Sequence, residues 1–206
     1  MDNSLKIIDM SEADLDTLTD AHMLAFKGYS NTKIGKNYVK KFLKWFVDYP
    51  EGIAIAAIYN SNEAGYVVGA PIGYQSKMNK DLMGTAVMGF ITHPWVILNP
   101  KIVKIVGSRV GTLLNRKKYS KQSAQNDQGR TISLVGIAVS PEYGGLSIGS
   151  VLMDEFESRA RVNGFETMRL SVYDDNNKAL SLYKKSGWYE LSRNDNTITL
   201  YKKINA

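Results

Sequence analysis

Val139-Ser140-Pro141-Glu142-Tyr143-Gly144-Gly145-Leu146-Ser147-Ile148-Gly149-Ser150 joins an apolar run at 132–139 to an amphipathic run at 148–162. A strand that stops at a proline, turns on glycines and opens a helix makes an anion site. The first amides of a helix have no intrahelical partner and point outward. The helix dipole adds partial positive charge there, so a phosphate is the natural guest. Gly144, Gly145 and Gly149 let the backbone come close to that guest and take φ values that other residues resist. The stretch therefore predicts a phosphate-bearing cofactor held mainly by main chain.

Downstream, 148–162 reads as a helix ended by Asn163-Gly164, followed by a strand at 168–172, a short helix at 179–185 and a strand at 188–191. Asn194-Asp195-Asn196 makes a turn before a last strand at 197–203. Upstream, 5–8 is a first strand, and Ser11-x-x-Asp14 resembles a capping box that opens a helix. Leu15, Leu18, Ala21, His22 and Phe26 follow at helical spacing until Gly28. Residues 29–35 read as a turn-rich loop. Residues 38–46 read as a helix with Val39, Phe42, Leu43 and Phe46 on one face. A strand at 52–59, a hairpin turn at 60–65 and a strand at 66–72 interrupted by Gly69 complete this half. Residues 76–118 look helical in two pieces divided by Pro94 and Pro100, and 115–129 form a polar loop. Hairpins first and strand–helix–strand units later argue an α+β fold, a central sheet with helices on both faces. The crossover from 132–139 to 168–172 should be right-handed, with its strands parallel.

At 206 residues the chain fits one domain, 1–206, with 76–130 as a helical insertion and polar loop. A hydrophobic content of 44% and a charged content of 22% are ordinary for a globular protein. The chain has no Cys, which excludes disulfides and thiolate metal sites and fits a reducing cytoplasm. The first residues lack a basic segment followed by an apolar one, so no secretory signal is expected. The mostly apolar stretch 82–98 is short and broken by Thr85, Thr92, His93 and Pro94, a poor membrane span. No His/Asp/Glu group has metal-ligand spacing, so no metal is expected.

The strand, the glycine loop, the helix and the later segment 176–188 together resemble the GNAT superfamily of N-acetyltransferases. Val139-Ser140-Pro141-Glu142-Tyr143 is similar to that family's lead-in to its pyrophosphate loop, Arg/Gln-x-x-Gly-x-Gly/Ala. Gly144 stands where the family prefers Arg or Gln, Ser147 where it prefers the first Gly, and Gly149 matches. Loss of the Arg removes a charge-assisted contact, typically about 1.5–3 kcal/mol. Main-chain N–H groups, which any residue but Pro supplies, remain. The second match is Asn176, Ala179, Leu182, Tyr183 and Gly187, with Trp188 for the family's Phe.

The resemblance implies a mostly antiparallel GNAT-like sheet with one parallel, splayed strand pair, and acetyl-CoA as cosubstrate. It places the pyrophosphate on Gly144, Gly145, Leu146, Ser147, Ile148, Gly149 and Ser150. It lays the pantetheine arm along Ile137 and Val139, with Asn176 in contact. The N–H of Ile137 or Ala138 would meet the developing oxyanion. Tyr183 would be the general acid for the departing thiolate. Asn176 also reads as a helix cap, a role compatible with cofactor contact, and the alternative reading of Tyr183 is a core tyrosine at the end of a short helix.

The amine must lose a proton. Many family members use a carboxylate on the first splayed strand, but 131–139 contains none, and Val135 occupies the place where Glu is common. His93, Tyr74 and Glu142 are the remaining candidates, while His22 reads as a packed or surface helix residue. Orientation with water is the other route.

The net charge of +6 is concentrated in Lys101, Lys104, Arg109, Arg116, Lys117, Lys118 and Lys121, with no Asp or Glu between them. Leu98, Ile102, Ile105, Val106, Val110, Leu113 and Leu114 form an apolar stripe beside them. Three readings of 98–118 stand: an insertion helix showing its lysines to water, a field that draws in an anionic acceptor, or peripheral contact with an anionic membrane. Few aromatics interleave with the charge beyond Tyr119, which disfavours nucleic acid. The expectation is an acetyl-CoA-dependent N-acetyltransferase acting on a small-molecule amine, such as an amino sugar or nucleotide-linked amine, with a homodimer as a candidate assembly. A non-catalytic acyl-CoA-binding module and a protein or peptide N-acetyltransferase are the alternatives.

Overall fold

The apolar run Ile53-Ala54-Ile55-Ala56-Ala57, with Ile55, Ala56 and Ala57 all fully buried, belongs to a sheet covered on both faces, on which everything else rests. A computed structural model describes residues 4–27, 29–92 and 130–204. In chain order these form β1 (Leu5–Asp9), α1 (Leu15–Ala25), α2 (Ser30–Ile34), α3 (Lys36–Asp48), β2 (Ile53–Tyr59), β3 (Asn62–Pro71) and α4 (Tyr74–Thr92). Then follow β4 (Thr131–Val139), α5 (Ile148–Val162), β5 (Thr167–Tyr173), α6 (Asn177–Lys185), β6 (Tyr189–Asn194) and β7 (Thr197–Lys203). The sheet runs β1-β2-β3-β4-β5-β7-β6, antiparallel throughout except for the parallel pair β4–β5. This is the expected α+β architecture.

Each face of the sheet has its own core. On one side α3 turns Tyr38, Val39, Phe42, Leu43, Trp45 and Phe46 inward, against Leu15 and Leu18 of α1 and Tyr66, Val68 and Ala70 of β3. On the other, α5 buries Ile148, Leu152, Met153, Phe156 and Ala160 against Ile132, Leu134, Met168 and Leu170. Gly69 is required where Phe156 meets the sheet. A Cβ there would lie 2.4 Å from the Phe156 ring and 2.6 Å from the Ser133 carbonyl oxygen.

Ser11 opens the first helical segment as expected. Its N–H and its hydroxyl both donate to Asp14 Oδ2 at 2.7 Å, and a single 3-10 turn precedes α1. Two local expectations are corrected. The 29–35 segment is not all loop: 30–34 coil into α2, because the Thr32 hydroxyl donates to the Phe26 carbonyl at 2.7 Å and Ile34 is buried. The hairpin turn is only Asn60-Ser61, both at positive φ (50° and 65°), so β3 begins at Asn62. Positive φ at both turn residues suits the twist of a two-residue hairpin. The first expected insertion helix is α4. The remainder of the insertion, with His93, Pro94, Pro100, the basic segment 98–118, Tyr119 and the polar loop, lies outside the described residues.

Candidate active site

Beta-4 lies in the middle of the sheet, yet Ser133, Val135, Gly136, Ile137 and Val139 are half-exposed. The cause is a fork. Only Thr131–Thr167, Ile132–Met168 and Ser133–Arg169 pair between β4 and β5, and beyond them the strands part. The fork starts beside a bulge: Val68 faces Gly136 while Gly69 faces Leu134, so Val135 is left without a partner. A bulge bends and over-twists its strand, which turns β4 away from β5. Val135, the place where a carboxylate is common in the family, is this bulged residue.

The register also orients the main chain. The Ser140 N–H donates to the Ala64 carbonyl at 2.8 Å. Strand alternation then turns the peptide groups of Ala138 to Tyr66 on β3, and those of Ile137 and Val139 to the open edge. Of the two candidate oxyanion donors, Ile137 therefore faces the fork and Ala138 is committed to the sheet.

The glycine loop closes the wide end of the fork. After a 3-10 turn at Pro141–Tyr143, the chain passes Gly145 at φ 87° and Ser147 at φ 59° before entering α5. The N–H groups of Gly144 and Ser150 are used internally, donating to the carbonyls of Pro141 (3.1 Å) and Ser147 (3.0 Å), and that of Leu146 reaches Tyr143 at 3.5 Å. Among the described residues, the N–H groups of Gly145, Ser147, Ile148 and Gly149 have no partner. Free donors of this kind at a helix N-terminus are the groups that suit an anion. The conformation of Ser147 explains the Gly that the family prefers there: the position is left-handed, which a Cβ resists.

The third component is α6. Asn176 caps it, with Oδ1 accepting from the Ala179 N–H at 3.1 Å. Its Nδ2 donates to the Tyr29 hydroxyl at 3.4 Å, across 147 positions of sequence. Tyr183 is 6% exposed and packs on Trp188, with ring centroids 6.0 Å apart. Burial, and then the neighbouring Tyr29 hydroxyl, push its pKa up to about 12. The Tyr183 hydroxyl has no hydrogen-bond partner among the described residues. Tyr29 also meets the Tyr173 ring edge-on at 5.3 Å, and burial and Asp175 raise its pKa. The C-terminal end of β5 thus gathers Tyr29, Tyr173, Asn176 and Tyr183. Sequence reasoning missed Tyr29 and Tyr173, because neither belongs to a motif. Their only signal was aromatic character, in a loop and at a strand end.

The candidate bases are dispersed. His22 Nδ1 is hydrogen-bonded to the Tyr66 hydroxyl within the core, and burial lowers the imidazole pKa to about 4. Tyr66 has no exposed surface, so the pair is buried, and its hydroxyl lies beside β4, where a Cβ at Gly136 would come 3.7 Å from it. Tyr74 packs on Trp45 and Phe46 at 6.2 and 6.1 Å. Glu142 accepts from the Ser140 hydroxyl at 3.3 Å on the outside of the loop. His93 lies outside the described residues.

Residues 37–188 match the sequence profile of the Acetyltransferase (GNAT) family. The chain is 40% identical over 65 residues to thialysine N-epsilon-acetyltransferase from Bos taurus, covering 32% of this chain and 38% of that protein. It thus spans well under half the length of the curated relative it matches. Two solved structures share the fold. The PaiA N-acetyltransferase from Thermoplasma acidophilum, in complex with coenzyme A, is 15% identical with a TM-score of 0.58, covering 97% of this chain and 99% of that one. Arabidopsis thaliana NAA60, in complex with a bisubstrate analogue, is 14% identical with a TM-score of 0.61, covering 98% of this chain and 100% of that one. With the forked pair, the amide-lined loop and the profile match over 37–188 together, the chain belongs to the GNAT acetyltransferase family.

Proposed function

We propose that this protein is an acetyl-CoA-dependent N-acetyltransferase that acts on the primary amine of a small molecule, with an amino sugar or a nucleotide-linked amine as the favoured class. The observation that carries the reading is the fork between β4 and β5, with four amides at its mouth and the Tyr183 hydroxyl nearby, all without a partner among the described residues. The donor set fits a pyrophosphate, and the open edge of β4 fits an extended amide-bearing arm. The family and the relative that acts on thialysine, a small amine, support the same choice.

Bound acetyl-CoA would supply an activated thioester carbonyl. Gly145, Ser147, Ile148 and Gly149 would hold its diphosphate, and the peptide groups of Ile137 and Val139 would align the arm. The Ile137 N–H is the donor for charge developing on the carbonyl oxygen. In the transfer, the amine nitrogen bonds to the carbonyl carbon and the carbon–sulfur bond breaks. A Tyr183 hydroxyl with a pKa near 12 keeps its proton at neutral pH. It therefore acts as a hydrogen-bond donor to the leaving sulfur, while the proton that the amine releases passes through water to the thiolate.

A second reading, a non-catalytic acyl-CoA-binding module, is favoured by one observation: no side-chain carboxylate stands on β4. Titration calorimetry with acetyl-CoA, together with thiol release over a panel of amines, separates the two. Binding with turnover supports the enzyme, binding without turnover supports the module, and no binding removes both.

A further inference from the structure

Beta-5 alternates sharply. Met168, Leu170 and Val172 are buried in the core that α5 also lines, so Arg169, Ser171 and Tyr173 stand on the opposite face. The described helices on that face, α1, α3 and α4, pack over β2, β3 and β4 or on one another. Arg169 is consequently half-buried, Ser171 is exposed and Tyr173 is 41% exposed. Arg169 pairs with Ser133 in the last rung before the fork opens. Among the described residues its guanidinium has no carboxylate and no hydrogen-bond partner. The stretch 93–129 offers Asp127 as its single acid against seven Lys and Arg. A half-buried guanidinium presents a rigid fork of donors matched to carboxylate and phosphate.

The same open face ends at Tyr173, which Tyr29 contacts beside the Asn176 cap. Four residues of strand separate Arg169 from Tyr173, roughly 13 Å at about 3.3 Å per residue. One end of the face therefore offers a cation without a counter-ion among the described residues, and the other leads to the Tyr183 hydroxyl.

We propose that the acceptor is a bifunctional amine whose anionic group, a carboxylate or a phosphate, is bound by Arg169 on the open face of β5 while its amino group reaches the Tyr29–Tyr173 end. This rests on the acetyltransferase reading above and narrows its substrate class. Arg169 is then a specificity residue that touches the acceptor and not the cosubstrate.

The test compares acceptors that differ only in the anion: lysine against 1,5-diaminopentane for a carboxylate, and glucosamine 6-phosphate against glucosamine for a phosphate. The wild-type protein should favour the anionic member of at least one pair by about tenfold or more in kcat/KM, in line with a charge-assisted contact. The pair that shows the preference identifies the anion. Arg169→Gln should bring that ratio close to one, and Arg169→Lys should retain part of it. Calorimetric affinity for CoA should be equal in all three proteins, which also shows that the variants are folded. Turnover with no preference for the anionic member, or a preference that survives in Arg169→Gln, overturns this inference alone. The wild-type ratios decide the matter even if a variant fails to fold. Acetyl-CoA binding with no turnover on any amine overturns the enzymatic reading and this inference with it.

Discussion

The Tyr66 hydroxyl of β3 is hydrogen-bonded to Nδ1 of His22 on α1, and both side chains lie inside the core between the sheet and α3. The imidazole is packed against Phe26 and Phe42, with ring centroids 4.6 and 6.0 Å away. Burial holds it neutral, with a pKa near 4 against 6.5 for the free side chain. Above pH 6.5 His22 is neutral whether the chain is folded or not and contributes no pH dependence. Between pH 6.5 and 4 the unfolded chain binds a proton that the folded chain refuses, so stability falls as pH falls. The loss is about 3 kcal/mol across that window. Urea unfolding at pH 7.5 and pH 4.5 measures it. His22→Gln, which can still meet Tyr66 but does not titrate, should show a flatter dependence. An equally steep one would remove His22 as the source.

Ser147 bears left-handed strain that a glycine would not. At φ 59° the Cβ is disfavoured by roughly 1–2 kcal/mol, partly offset by the greater chain entropy of glycine when unfolded. Ser147→Gly should therefore stabilise the fold by about 0.5–1 kcal/mol, which is a rise of a few degrees in Tm at this size. Ser147→Val should destabilise it. Thermal melts of both variants give the signs, and a destabilised glycine variant would show that the hydroxyl carries weight.

Tyr183 separates chemistry from binding. Tyr183→Phe removes a hydroxyl with no partner among the described residues, so the melting temperature and the CoA dissociation constant should change little. The acetyl-transfer rate should fall by roughly tenfold or more, the usual scale for loss of an acid–base or hydrogen-bonding group. With its pKa near 12, the phenol should also add no downturn in rate between pH 7 and 10. Wild type and variant should thus share the same alkaline limb, and a downturn present only in the wild type would contradict the assignment.

Gly69 and Phe156 meet too closely to admit a methyl group. Gly69→Ala would place Cβ against the ring and against the Ser133 carbonyl, at the bulge beside the fork. Overpacking of this kind typically costs about 1–3 kcal/mol. Chemical denaturation should show that loss, and Phe156→Leu in the same chain should recover only part of it, because the carbonyl contact remains. Full recovery would mean that the ring alone excludes the side chain.

Local pattern determined much of this protein. Helix α5 occupies Ile148–Val162 as its apolar spacing predicts, and the glycine loop and the Asn176 cap fall where their residue types place them. Each of these depends on neighbours within a turn or two of the chain, so the sequence carries them directly. Tertiary structure decided the rest. The fork exists because Val135 bulges against a partner strand more than 60 residues away, and no pattern within 131–139 encodes that register. The same pairing gave Ile137 the free N–H and denied it to Ala138. Tyr29 joined the site only when folding brought it over the end of β5, and Arg169 has no counter-ion among the described residues because no described carboxylate reaches that face of β5. Short-range periodicity sets which segments are strand or helix. Which donors, rings and charges meet at a site depends on contacts between segments far apart in the chain, and only folding brings them together.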